Sequence, residues 1–370
     1  MGNKTYSIKA KLKYAGAFIA WVIGSGFATG QEIFQFFSSY GYVSYGAVLI
    51  NLLGFIFIGS ILMLAGYDHK TTRKFNHFKY YCGNKLGIVY TWLVPITLIL
   101  TMTVLIAASG SALYEYYNVN RYIGSGIMAA MVLIAYLIGF ENMVKIVSKI
   151  GPVLIIFVLI VGSITLLNDF SNIGNIGDYS ELLAISQPAP NWLLSAILYL
   201  SLNFLAGSTY YTALGRSAQN RSDAKWGAII GAVALISVIV IMNTSYLLNA
   251  ATAAHLSVPT LYLSMRISYV LGTIFTVVLM LGMFSSCSAM MWSFCNQLFA
   301  DNKTKNRIVA IAVAVFTFAI GLFFTFRDLV SIFYPFIGYV GLIFIGCVVY
   351  KGVRRIFKKG HWEISPPMPQ

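Results

Sequence analysis

The chain has 370 residues, of which 58% are hydrophobic and 10% charged, and its formal net charge is +14. A soluble globular domain carries about 25% charged residues, so this composition excludes a water-solvated fold and calls for a bilayer as solvent. The positive excess does not point to nucleic acid, because the basic residues sit between apolar runs.

Apolar runs bounded by charges or turn residues predict helices over 12–39, 43–66, 86–113, 122–140, 143–167, 191–214, 225–249, 267–298, 307–325 and 329–350. At about 20 residues per crossing this is an all-α polytopic membrane protein of roughly ten spans. The run after Lys4, Lys9, Lys11 and Lys13 lacks a signal-peptidase site and is long enough to span, so it reads as an uncleaved first helix. Loop charge alternates along the chain. All 25 Lys and Arg except Arg121, Arg266 and Arg327 fall on one side, and the longest loop of the other side carries Asp169, Asp178 and Glu181. The positive-inside rule then puts both termini in the cytoplasm of a cell whose plasma membrane holds the chain. Residues 1–360 form a single transmembrane domain, and 361–370, with Pro366, Pro367 and Pro369, a short cytoplasmic tail.

Chemistry other than transport finds little support. Cys82, Cys287, Cys295 and Cys347 are too scattered for a disulfide framework and read as free thiols. His69, His77, His255 and His361 lack metal-ligand spacing, and no nucleotide-binding, serine-hydrolase or zinc-protease motif occurs, so an enzyme is not expected. Nothing resembles a channel filter or a ring of like charge.

The third and eighth predicted helices are both long, the fourth and ninth both short, and the first and sixth both interrupted. That is a unit of five helices repeated, over about 10–167 and 191–350. A unit with an odd number of crossings enters the membrane from the opposite face when repeated, so the repeat is inverted, as in secondary transporters. The first interruption is Gly24-Ser25-Gly26-Phe27-Ala28-Thr29-Gly30, and the sixth helix carries Ser201-Leu202-Asn203-Phe204-Leu205-Ala206-Gly207-Ser208-Thr209 at its middle. Small residues also serve close helix packing, but breaks at matching places in two halves point to a transport site. Unwinding exposes amides at the start of one half-helix and carbonyls at the end of the other, which suit a carboxylate and a cation respectively. The amides of Ser25, Gly26 and Phe27 would face an anionic group and the carbonyls of Ala20 and Ile23 a coupling ion. Asn203 offers donor and acceptor beside them, with Gly207 in the same run, and Phe204, Tyr199 and Tyr210 are candidate walls.

The segment Gly24-Ser25-Gly26-Phe27-Ala28-Thr29-Gly30-Gln31-Glu32 resembles the first-helix signature of the YkvI-like membrane proteins, and length, helix count and break positions follow the resemblance along the chain. It implies the LeuT-type five-plus-five fold of the amino acid, polyamine and organocation transporters, with helices 1 and 6 broken. Sodium-coupled members of that fold take a carbonyl and two hydroxyls from the eighth helix. Gly282, Ser285 and Ser286 match that spacing and would join Ala20 and Ile23 around Na+. A proton-coupled relative would instead use an amine, for which Lys149 stands in the fifth helix, although so shallow a lysine can also snorkel to the interface.

Glu32 is the acid inside a predicted span, and such carboxylates are functional candidates. On a straight helix its Cα lies about 9 Å outward of Gly26, which suggests gating or coupling above the solute site, with Arg327 or Arg266 as gate partners. Binding a substrate ammonium and a helix–helix hydrogen bond are its other readings. The expected function is a secondary permease, monomeric in its working unit, for a small zwitterion of the amino-acid type, driven by Na+ or H+. An amine or nucleobase-like carrier and a ligand sensor of the spore-germinant type are the alternatives.

Overall fold

The computed structural model describes residues 8–72, 75–138, 150–299 and 303–357, and all regular structure among them is helical. Inside a bilayer every backbone N–H and C=O must find a partner within the protein, and a helix pairs them within one segment. The first predicted helix is in three pieces, α1 (Ile8–Val22), α2 (Ser25–Thr29) and α3 (Gln31–Phe36), followed by a 3-10 turn over Ser38–Val43. Then come α4 (Ser44–Asp68), α5 (His77–Tyr117), α6 (Arg121–Ile138) and α7 (Ile150–Asp169). A 3-10 turn (Phe170–Tyr179) and α8 (Ser180–Ala184) lead to α9 (Trp192–Arg216) and α10 (Arg221–Leu248). The short α11 (Ala250–Ala253) and α12 (Pro259–Ile267) precede α13 (Tyr269–Phe299), α14 (Lys303–Phe323) and α15 (Phe326–Phe357).

Eight helical stretches among the described residues are long and apolar enough to cross a membrane, and Arg121–Leu137 is a shorter apolar one. The start of α5 differs from expectation. Asn76 caps it nine residues early, its side chain accepting from the Lys79 amide at 3.0 Å, and Gly83 (φ 75°) kinks the helix where the apolar run begins. Lys149, the beginning of the fifth predicted helix and the tail 361–370 lie outside the described residues.

The sixth predicted helix is not broken. α9 runs through Ser201–Thr209 without a non-helical residue. Its polar side chains bond back to their own turn: Ser201 Oγ to the Ile197 carbonyl (2.8 Å), Asn203 Nδ2 to Tyr199 (2.9 Å) and Ser208 Oγ to Leu205 (3.0 Å). They are therefore satisfied in an apolar setting without opening the helix. The small residues serve packing instead, since the α9 backbone approaches α4 and α15 so closely that Cβ atoms at Gly66 or Gly341 would strike the carbonyls of Thr212 or Ser201.

Two polar clusters tie the helix ends. At the lysine- and arginine-rich end, Asp68 pairs with Arg355 (2.8 Å) and Arg221 (3.4 Å), joining α4, α15 and α10. At the opposite end, Asp169 accepts from Arg266 and from Asn249 Nδ2 (2.8 Å), and Arg266 also donates to Asn249 Oδ1. Asp169 is buried while Arg266 is 41% exposed. Asp169→Asn is therefore expected to cost only about 1–2 kcal/mol, read as a lower thermal unfolding midpoint of the purified protein. The four cysteines are free, as expected.

Candidate functional site

The chain leaves α1 at a specific place. Ile23 N closes the last helical bond to Ile19 O (2.9 Å), whereas Gly24 N turns to Val22 O (2.8 Å) and Gly24 is extended (φ −90°, ψ −169°). In a continuous helix Gly24 N would bond Ala20 O, so that carbonyl is released from the ladder. Helix resumes at Ser25, with Ala28 N bonded to Gly24 O at 3.0 Å. The first-turn amides of Ser25, Gly26 and Phe27 have no intrahelical acceptor.

A second interruption follows at Gly30, which is left-handed (φ 88°), a conformation that favours glycine. A side chain there would also strike the Tyr246 and Thr260 hydroxyls, which bond each other at 2.6 Å. Thr29 Oγ1 bonds the Gly26 carbonyl at 2.6 Å and accepts from Gln31 N at 3.3 Å, stapling the bend. This bend redirects α3 and corrects the expected position of Glu32. Its carboxyl is not a turn and a half above the break but folds back over Gly26, where an added Cβ would overlap Oε1. The Tyr334 hydroxyl from α15 reaches the same spot, 3.1 Å from where that Cβ would stand, which sets it beside the Glu32 carboxyl. The expected gate partners are engaged elsewhere, Arg266 with Asp169 and Asn249 and Arg327 with the Ser186 hydroxyl.

A cavity of about 290 Å³ opens at the break. Of the residues singled out from sequence it is lined by Ala20, Gly24, Gly26, Phe27, Glu32, Asn203, Ser285 and Ser286. Ser286 Oγ lies 3.8 Å from where a Gly24 Cβ would stand, so the α13 hydroxyls face the released end of α1. Ile23 lies in the link between α1 and α2, buried and outside the lining, and Gly282 is also buried away from it. Phe204 and Tyr199 are not walls. They belong to a buried aromatic cluster with Phe55 (Phe55–Phe204 4.9 Å) on another side of α9, whose unbroken turn fixes which residues face the cavity. Gly207 acts indirectly, because its missing side chain lets the Trp21 indole lie against α9. Trp21 is stacked on Tyr210 at 5.1 Å, and Tyr210 donates to the Ala17 carbonyl at 2.8 Å.

Trp21, Thr101 and Leu105 from α5, Met290 and Ser293 from α13, and Tyr334 are among the other lining residues. Nothing in their spacing marks them out, since facing a cavity is a matter of helix rotation. The described residues hold no group of three or more His, Cys, Asp or Glu able to ligate a metal.

No protein-family model matches the chain. It is 25% identical over 348 residues to the membrane protein YkvI of Bacillus subtilis strain 168, covering 92% of this chain and 96% of that one. To YyaD of the same organism it is 23% identical over 350 residues, covering 95% and 99%. Among solved structures it superimposes on the Eremococcus coleocola manganese transporter with a TM-score of 0.53 at 12% identity, over 96% of this chain and 80% of that chain. The likeness expected from the first-helix signature thus extends along nearly the whole chain, which is similar to YkvI and YyaD and shares the LeuT-like fold of the solved manganese transporter.

Proposed function

We propose that the protein is a secondary transporter that moves a small zwitterion of the amino-acid class by alternating access, with Na+ as coupling ion. The observation that carries this reading is the cavity at the break between α1 and α2, where released backbone groups, hydroxyls and one carboxyl surround a volume of about 290 Å³. That volume has room for an amino-acid-sized solute. The first-turn amides of α2 suit its carboxylate. The Ala20 carbonyl, with Ser285 and Ser286 across from it, offers uncharged oxygens of the kind a monovalent hard cation accepts, and Ile23 and Gly282, which lie outside the lining, are left out of the set. The solved neighbour carries manganese. Here the described lining brings one carboxyl and no group of three or more His, Cys, Asp or Glu, less negative charge than a divalent cation carries, and we read this as favouring the organic solute.

In proteoliposomes, uptake of radiolabelled small neutral amino acids is expected to rise at least tenfold when an inward sodium gradient replaces a potassium gradient. Joint replacement of Ser285 and Ser286 by Ala should remove that stimulation, and unchanged sodium dependence would reject the cation site. Binding without accumulation would make the protein a sensor. Uptake driven by a proton gradient alone would move the coupling to Glu32 or Lys149.

A further inference from the structure

We infer that the cavity recognises a primary ammonium group on its solute through the Glu32 carboxyl, and that Tyr334 is the residue positioning that carboxyl. The inference rests on the reading of the cavity as a solute site and specifies which end of the solute is read there.

The charge around the cavity is one-sided among the described residues. Glu32 brings a carboxyl, and among the described residues no Lys, Arg or His lines the space with it. Asn203 spends one N–H of Nδ2 on the Tyr199 carbonyl and keeps its amide oxygen as an acceptor. The Ala20 carbonyl is a further acceptor, freed when Gly24 N turned to Val22 O. A carboxylate enclosed by protein needs a cation or several donors to be stable, and the fold sets the Tyr334 hydroxyl beside it over Gly26. An alkylammonium supplies the missing charge together with three N–H donors. Leu98, Leu105, Ala206 and Met290 form apolar wall beside it, matched to a short hydrocarbon chain. A carboxylate on the solute adds contacts at α2 but is not what the acceptors select.

The placement of Glu32 is built by three features that have no other shared purpose. Gly30 turns α3 back toward the break, Gly26 leaves the space in which the carboxyl lies, and Tyr334 reaches across from α15 to hold it there. Tyr334 acts on the solute through Glu32 and is a positioning residue.

The test is carboxyl labelling of the purified full-length protein with dicyclohexylcarbodiimide. The reagent takes up a carboxyl group in apolar surroundings and leaves an N-acylurea that mass spectrometry locates. Labelling at Glu32 is measured alone and with ethylammonium chloride, L-alanine, sodium propionate or sodium chloride. Ethylammonium and L-alanine are expected to slow labelling about tenfold, while propionate and sodium chloride leave it unchanged. Tyr334→Phe should keep the unfolding midpoint yet raise the half-protecting concentration of ethylammonium about tenfold, the size expected for one hydrogen bond to a charged group. Equal protection by propionate or by sodium chloride overturns the inference, as does labelling that no amine slows or a Glu32 that does not label at all. Protection by amines without sodium-driven uptake of any amino acid leaves the ammonium site standing and removes the transporter reading. Uptake without amine protection does the reverse.

Discussion

Gly215→Val is expected to prevent α4 and α9 from packing, so that little monodisperse protein survives extraction and what survives unfolds far below the unmodified chain. A Cβ at Gly215 would strike the Met63 carbonyl and come within 2.8 Å of the Met63 Cα, and one at Gly66 would strike the Thr212 carbonyl in return. These are backbone atoms, which no rotamer change can move aside, so each helix would have to retreat along its whole length. Overpacking of this kind costs about 3 kcal/mol at the upper end of its usual range. Within a membrane, close approach of small residues is itself a main source of helix association. Gly346→Val is the matched control. It lies on α15 with nothing within 4 Å of its added Cβ, and it should leave size-exclusion behaviour and thermal midpoint nearly unchanged.

The same pair of glycines shows where sequence reading reaches its limit. Apolar runs and the sidedness of lysine and arginine place most helices to within a few residues, because both signals are set by the bilayer and not by neighbouring helices. The first break is legible for a local reason: Gly24, Gly26 and Gly30 in seven residues weaken the helix wherever it packs. The second expected break fails because Ser201–Thr209 has a composition that suits unwinding and close packing equally. Hydrogen bonds from Ser201, Asn203 and Ser208 to their own helix decide for packing. The site is half legible in the same sense. Ser285, Ser286 and Asn203 do face the cavity, but Phe204 turns to the aromatic cluster. Trp21 and Tyr334 come from faces that only the packed bundle defines. Glu32 was expected above the site because a straight helix was assumed. The helix bends at the left-handed Gly30, and the carboxyl lies over Gly26 instead.

Gly26→Val is expected to abolish solute binding while the protein still inserts and folds, the opposite division of effects from Gly215→Val. The atoms that an added Cβ at position 26 would meet are Glu32 Oε1, the Tyr334 hydroxyl at 3.1 Å and Glu32 Cδ at 3.5 Å. All are far ends of side chains, free to swing away, so the helices need not separate. The carboxyl is displaced from its place over the break, and the branched side chain takes up space in a cavity of only about 290 Å³. Stabilisation by the best amino-acid or amine ligand, several degrees for the unmodified protein at saturating concentration, should fall to nothing with the ligand-free midpoint within about 2 °C. Gly24→Ala separates this from a general sensitivity of the break. Its Cβ would meet Ser286 Oγ at 3.8 Å, an ordinary contact, and its backbone is in a region open to any residue. That variant should bind solute within about threefold of the unmodified protein. Retained affinity in Gly26→Val would place the solute elsewhere, and equal loss in both variants would mean that unwinding of α1, rather than the space over Gly26, is what binding requires.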